Sequence, residues 1–276
     1  MHTPASRMRG ISLVSLLSIV LTVLAGCSSD NTPSGHRGTD PGDLAAGFAA
    51  LEQQQYDAAI AAADRQLQSN PGGRGSAEAH YLRGRVYEQR VASSSADAAA
   101  NLQSARGAYI QALARSPEPK LEGLIRAGVA NVAYWQEDYT TAAQQWQAAY
   151  PLLEQPPAKS YALYRIGLSM QRMGRFDEAD KVFAEVQRLY PGTDAAQRAK
   201  DHQGHRAFSV QVATFASPQN ASNAIASLRS MGLTPSQTRS AAGHYVVMVG
   251  PVATYPAAKA LQARISAHFP DALIVP

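Results

Sequence analysis

The chain has 276 residues and is 45% hydrophobic, enough for one large domain or two ordinary ones with a true buried core. Its single cysteine excludes an intrachain disulfide and any cysteine metal cluster. The net charge of +4 is uneven: residues 1–27 carry +2, residues 28–204 carry −2 and residues 205–276 carry +4, so the C-terminal part is expected to meet something anionic.

The N-terminus opens with a short basic leader, MHTPASRMRG, followed by the apolar run ISLVSLLSIVLTVLAG. That run is too short and too poorly flanked for a stable membrane span and has the proportions of a signal peptide. It ends in LAGC (24–27), which resembles the lipobox of bacterial lipoproteins. The resemblance implies cleavage before Cys27 and acylation of that residue, with enough acyl chains at one site for stable anchoring. Ser28, standing where an Asp would retain such a protein, implies sorting to the outer membrane with the chain facing the periplasm. Residues 28–42, rich in Gly, Pro and Ser, read as a flexible tether spanning roughly 20 Å on average.

From residue 43 the chain is rich in Ala, Gln and Arg with a helical rhythm. The segment 165–191 holds Gly167, then Ala179, Phe183 and Pro191 at offsets of 12, 16 and 24. The same offsets recover Gly47, Ala59, Ala63 and Pro71, and, with nine extra residues around VASSSADAA, Gly84, Ala105, Tyr109 and Pro117. A third copy holds Ala130, Ala142 and Trp146, with its prolines displaced to Pro156 and Pro157. Small residues let paired helices approach closely, the aromatic fills the wedge between pairs, and proline stops the second helix. The pattern resembles the tetratricopeptide repeat. It predicts four such repeats over 43–204, with 194–204 as a polar capping helix. The resemblance implies a concave groove that takes a protein or peptide partner. Tyr134, Trp135 and Trp146 are large aromatics at helical spacing and are assigned to the core, not to a ligand site.

Residues 205–276 change rhythm. FSVQVATF (208–215) alternates with period two. A short amphipathic helix with Ala221, Ile225 and Leu228 follows, stopped by Gly232. TPSQTRS (234–240) is a weak polar strand, HYVVMVGP (244–251) a strong one, YPAAKALQARISAHF a second helix and ALIV (272–275) a last short strand. The order βαββαβ predicts one antiparallel sheet with both helices on one face, an α+β fold of ferredoxin-like type, its other face uncovered from within the domain. VQVATF paired with YVVMVGP resembles the SPOR domain over 206–276. That resemblance implies binding of bacterial peptidoglycan, in particular glycan strands stripped of stem peptides at the division septum, through the open sheet face.

Carried onto this sequence, Gln211 matches the family glutamine and Thr214 a small hydroxyl position, while His244 and Val246 fall where the family displays contacting residues. Many members have an aromatic and an arginine at those last two positions, and Arg239 is the nearest residue to supply the charge. No HExxH, G-x-S-x-G or phosphate-cradling loop is present, so the chain reads as a non-enzyme without cofactor or metal. Nucleic acid is not the expected partner, given the small charge excess and the export leader. The expected role is an outer-membrane adaptor in cell division or wall remodelling, gripping septal glycan and holding a protein in its groove. The alternative is an envelope assembly factor whose repeats bind client proteins and whose terminal domain serves only as a wall tether.

Overall fold

The structure, a computed structural model, describes residues 41–276. The leader, the lipobox with Cys27 and all but the last two residues of the expected tether lie outside the described residues. Two compact units divide at residues 166 and 167.

The first unit is a stack of antiparallel helix pairs: α1 (Pro41–Glu52) with α2 (Tyr56–Ser69), α3 (Ser76–Gln89) with α4 (Ser95–Leu113), and α5 (Pro119–Trp135) with α6 (Tyr139–Ala149). The expected small and aromatic positions form its core: Ala59, Ala63, Ala105, Tyr109, Ala130 and Ala142 are fully buried and Trp146 nearly so. Gly47 is needed for close approach, since a Cβ there would lie 2.7 Å from Leu82 and 2.8 Å from Ala62. The extra residues of the second repeat become a loop over 90–94 and a lengthened α4, whose N-cap Ser94 accepts a hydrogen bond from the Asp97 amide at 3.1 Å. The third repeat departs from expectation in one respect. A 3-10 turn at Tyr150–Leu152 closes α6, and Pro156 and Pro157 instead open the next helix, α7 (Pro156–Arg172). There a missing N–H costs nothing, because the first turn of a helix has no carbonyl partner for it.

The second unit starts within α7 and continues through α8 (Phe176–Leu189) and α9 (Asp194–His202). Phe183 is fully buried against Gly167, where a Cβ would lie 2.6 Å from its ring. Thr193 caps α9 by accepting from the Ala196 amide. Then follow β1 (Phe208–Phe215), α10 (Pro218–Ser230), β2 (Pro235–Arg239), β3 (Tyr245–Val252), α11 (Tyr255–Ser266) and β4 (Leu273–Val275). All pairings are antiparallel, in the order β2-β3-β1-β4. Val210, Val212, Val247 and Val249 pack with Ala221 and Leu228 of α10 and Ile265 of α11, so both helices cover the same face. The chain is therefore a helical repeat array followed by a small α+β domain.

The segment between α9 and β1 is largely exposed but tied to α8, and β1 opens on a buried ring. Phe208 is fully buried, with ring centroids of Phe176 and Tyr255 each 5.5 Å away. The Arg172 guanidinium lies 4.1 Å from the centre of the Tyr255 ring, a cation–π contact. Arg206 pairs with Asp177 at 3.1 Å and Asp180 at 2.7 Å, and the Gly204 amide donates to Asp180 at 2.9 Å.

Candidate functional site

The open face of the sheet is set by the register of its strands, because directly opposed residues in antiparallel pairs share a face. Gln211 opposes Met248, yet the next pairs are Ala213 with Val247 and Thr214 with Val246. One extra residue in β1, a β-bulge at Val212, separates them. Simple alternation would put Gln211 and Thr214 on opposite faces. The bulge sets them side by side, and the Gln211 amide donates to Thr214 Oγ1 at 3.3 Å.

Adding the outer strands gives two rows. Ser236, Met248, Gln211 and Leu273 cross the sheet in one, and Thr238, Val246 and Thr214 in the other. Both lie on the side away from α10 and α11, whose core takes Val247 and Val249 from the intervening positions of β3. Leu273 is 60% exposed. Ser209 and Val275 pair at the far end, where β3 bulges around Gly250. Gly250 has φ 137°, and a Cβ there would lie 3.0 Å from Ser209 Cα, so only glycine fits. His244 is exposed at the turn before β3, with its amide donating to Ser240 Oγ at 3.1 Å.

The structure thus brings Gln211, Thr214 and Val246 together, with His244 at the strand end. It does not bring Arg239 to them. Arg239 opposes Tyr245, which opposes Phe215, and Tyr245 and Phe215 both pack on the helix-side core. Its guanidinium donates to the Tyr245 hydroxyl at 2.6 Å and lies 4.7 Å from that ring's centre. The other basic residues of this segment are also elsewhere. Arg206 is held by two aspartates, which raise its pKa, and Arg229, Lys259 and Arg264 lie on the two helices. The charge excess read from the sequence is therefore not displayed on the open face, whose two rows carry one amide, three hydroxyls, a thioether and two aliphatic groups. Sequence reasoning missed Leu273, Ser236 and Thr238. The alternation of Ser and Thr in β2 was the available signal for the last two.

The first unit carries a second polar constellation. Tyr109 donates to the Glu88 carboxylate at 2.5 Å, Asn131 donates to the same carboxylate, and Arg165 donates to Asn131 Oδ1 at 3.1 Å. Arg165 stacks 3.8 Å from the centre of the Tyr134 ring. Tyr134 and Trp146 are core residues as expected, whereas Trp135 is 44% exposed. Glu88, Asn131 and Arg165 lie on α3, α5 and α7, the first helices of three consecutive repeats, and Tyr109 joins them from α4.

Residues 204–276 match the SPOR domain model, and residues 161–193 match the tetratricopeptide repeat model. Among solved structures, the chain is similar to YrrB, described as a TPR protein with an unusual peptide-binding site. The identity is 22% and the TM-score 0.45, over 57% of this chain and 74% of that one. A search of curated proteins found no match.

Proposed function

We propose that this chain is a non-catalytic adaptor of the bacterial cell envelope. Its SPOR sheet binds peptidoglycan glycan strands freed of stem peptides, its repeats hold a protein or peptide, and lipid on Cys27 anchors it to the outer membrane, facing the periplasm. Division or wall remodelling is the setting in which such denuded strands arise. The observation carrying this reading is the match of residues 204–276 to the SPOR domain together with a sheet face that no helix of the domain covers. Gln211, Thr214, Val246 and the exposed His244 are the contacts on or beside that face. A polysaccharide needs amide and hydroxyl partners beside apolar surface for its ring faces, and that mixture is what the rows supply.

Retention of the full chain on isolated sacculi tests the reading. Amidase treatment, which strips stem peptides, is expected to raise retention. Gln211→Glu removes an amide donor and sets a negative charge beside acceptor-rich sugar, lowering retention about tenfold, or about 1.4 kcal/mol. Equal retention on treated and untreated sacculi would refute recognition of denuded strands, and an unaffected variant would take Gln211 out of the site.

The anchor is tested separately. Cys27→Ala is expected to move the protein from the membrane fraction to the soluble periplasmic fraction. Continued membrane association would exclude lipidation as its basis.

A further inference from the structure

The proposed glycan reading leaves open which chemical groups of the strand the sheet recognises. A denuded strand offers two kinds: lactyl carboxylates on alternate sugars, and the acetamido and hydroxyl groups that every sugar carries. Resting on that reading, we infer that this SPOR face recognises the neutral acetamido and hydroxyl groups and the apolar ring faces, and that the lactyl carboxylates contribute nothing to its affinity.

Three observations lead there. The strand positions facing outward are uncharged in all four strands: Ser236 and Thr238 in β2, Val246 and Met248 in β3, Ser209, Gln211 and Thr214 in β1, and Leu273 in β4. A carboxylate is held strongly by a guanidinium or ammonium group, and that row arrangement has none. The single arginine on the strands, Arg239, sits in the row of Tyr245 and Phe215, with its guanidinium bonded to the Tyr245 hydroxyl. Reaching the open face would require breaking that bond and turning round the β2 edge of the sheet.

The second observation is the arrangement of the polar groups. The bulge at Val212 joins Gln211 and Thr214 into one hydrogen-bonded pair, a combined donor and acceptor. An amide paired with a hydroxyl matches an acetamido group, which offers one N–H and one C=O, better than an acceptor-only carboxylate. Third, the pair is flanked on both sides by aliphatic surface, Met248 on β3 and the 60% exposed Leu273 on β4. A sugar lying along the row sets its C–H face and acetamido methyl against those groups, and a charged group placed there would be desolvated without a partner.

The experiment uses the full chain in detergent on amidase-treated sacculi. Ion pairing with carboxylates is screened as salt rises, since the Debye length falls from about 10 Å at 0.1 M to about 3 Å at 1 M. Retention is expected to change less than twofold between 0.05 and 0.5 M NaCl, taking ~10 Å of screening length as the scale over which exposed ion pairs act. Soluble β-1,4-linked N-acetylglucosamine oligomers, which carry no lactyl carboxylate, are expected to compete. Leu273→Asp is expected to lower retention about tenfold, whereas Arg229→Gln, on the helix side, leaves it unchanged. Retention that collapses in salt, failure of the neutral oligomer to compete, or a loss on Arg229→Gln would each overturn this inference while leaving glycan binding intact. Absence of retention at every salt concentration would overturn the glycan reading as well.

Discussion

Tyr109→Ala is expected to destabilise the helical repeats by about 3–5 kcal/mol, the range for losing a fully buried large aromatic, measured as the shift in the urea unfolding midpoint of the full chain. The ring has no exposure and is slotted between two helices at glycines. A Cβ on Gly84 would lie 2.4 Å from it and a Cβ on Gly128 2.5 Å. Because those slots are backbone-walled, neighbouring side chains cannot swing in to refill them, and the cavity stays open. The hydroxyl also donates to Glu88, and burial with that carboxylate beside it pushes the tyrosine pKa well up, so it remains a donor at any physiological pH. Tyr109→Phe keeps the ring and is expected to cost only about 1 kcal/mol, the typical net worth of one hydrogen bond. A loss below about 1 kcal/mol in the alanine variant would contradict the slotted packing.

Half of that slot was readable from the sequence. Gly84 and Tyr109 fall on the repeat offsets, but Gly128 does not: the third copy has Ala130 at the expected position, and Ala130 is indeed fully buried. The ring of one repeat reaches into the next repeat two residues earlier, and contacts between repeats follow no offset fixed within one. The small domain shows the same division. Its six elements and their order were legible from period and turn residues. Most of the faces were legible too, since alternation sets Gln211, Val246 and Met248 opposite the helix-side valines; it fails only after Val212, where a single bulge reverses the parity of the rest of β1. Nearness in sequence suggested that Arg239 would serve the open face, whereas cross-strand register gives it to Tyr245. Register depends on pairing partners far along the chain, and one strand read alone cannot carry it.

Stability of the second unit is expected to fall by about 2–3 kcal/mol between pH 7 and pH 4.5 through His202 alone. Burial is the main cause that lowers its pKa to about 4, with the positive charge of Arg172 and the neighbouring His205 adding to it and Asp201 opposing. The side-chain nitrogen of Gln171 donates to the His202 carbonyl at 2.9 Å, so its oxygen faces the ring, where Nδ1 lies 2.8 Å away and carries the proton. The direction follows from the lowered value. Above pH 6.5 neither state is protonated and the full stability is present. As pH falls from 6.5 to about 4 the unfolded chain takes up a proton that the folded one refuses, and stability is lost. His202→Asn retains a donor near Nδ1 and has nothing to titrate. The difference between the two proteins' urea midpoints at pH 7 and pH 4.5 isolates the histidine from the carboxylates that also titrate there. A variant with an unchanged pH slope would show that His202 is not the buried neutral group described.

The same segment has a mechanical meaning. From His202 to Phe208 the chain is fastened at every second residue: Gln171 to His202, Asp180 to Gly204, Asp177 and Asp180 to Arg206, and Phe176, Tyr255 and Arg172 around Phe208. Phe208 is also the first residue of the strand that carries Gln211. A pull on a strand held at Gln211 therefore passes along three residues of β1 and directly into α8 and α9, with no slack linker to absorb it. In the proposed role, a displacement of the bound strand reaches α8 and α9 as movement, not as extension of loose chain.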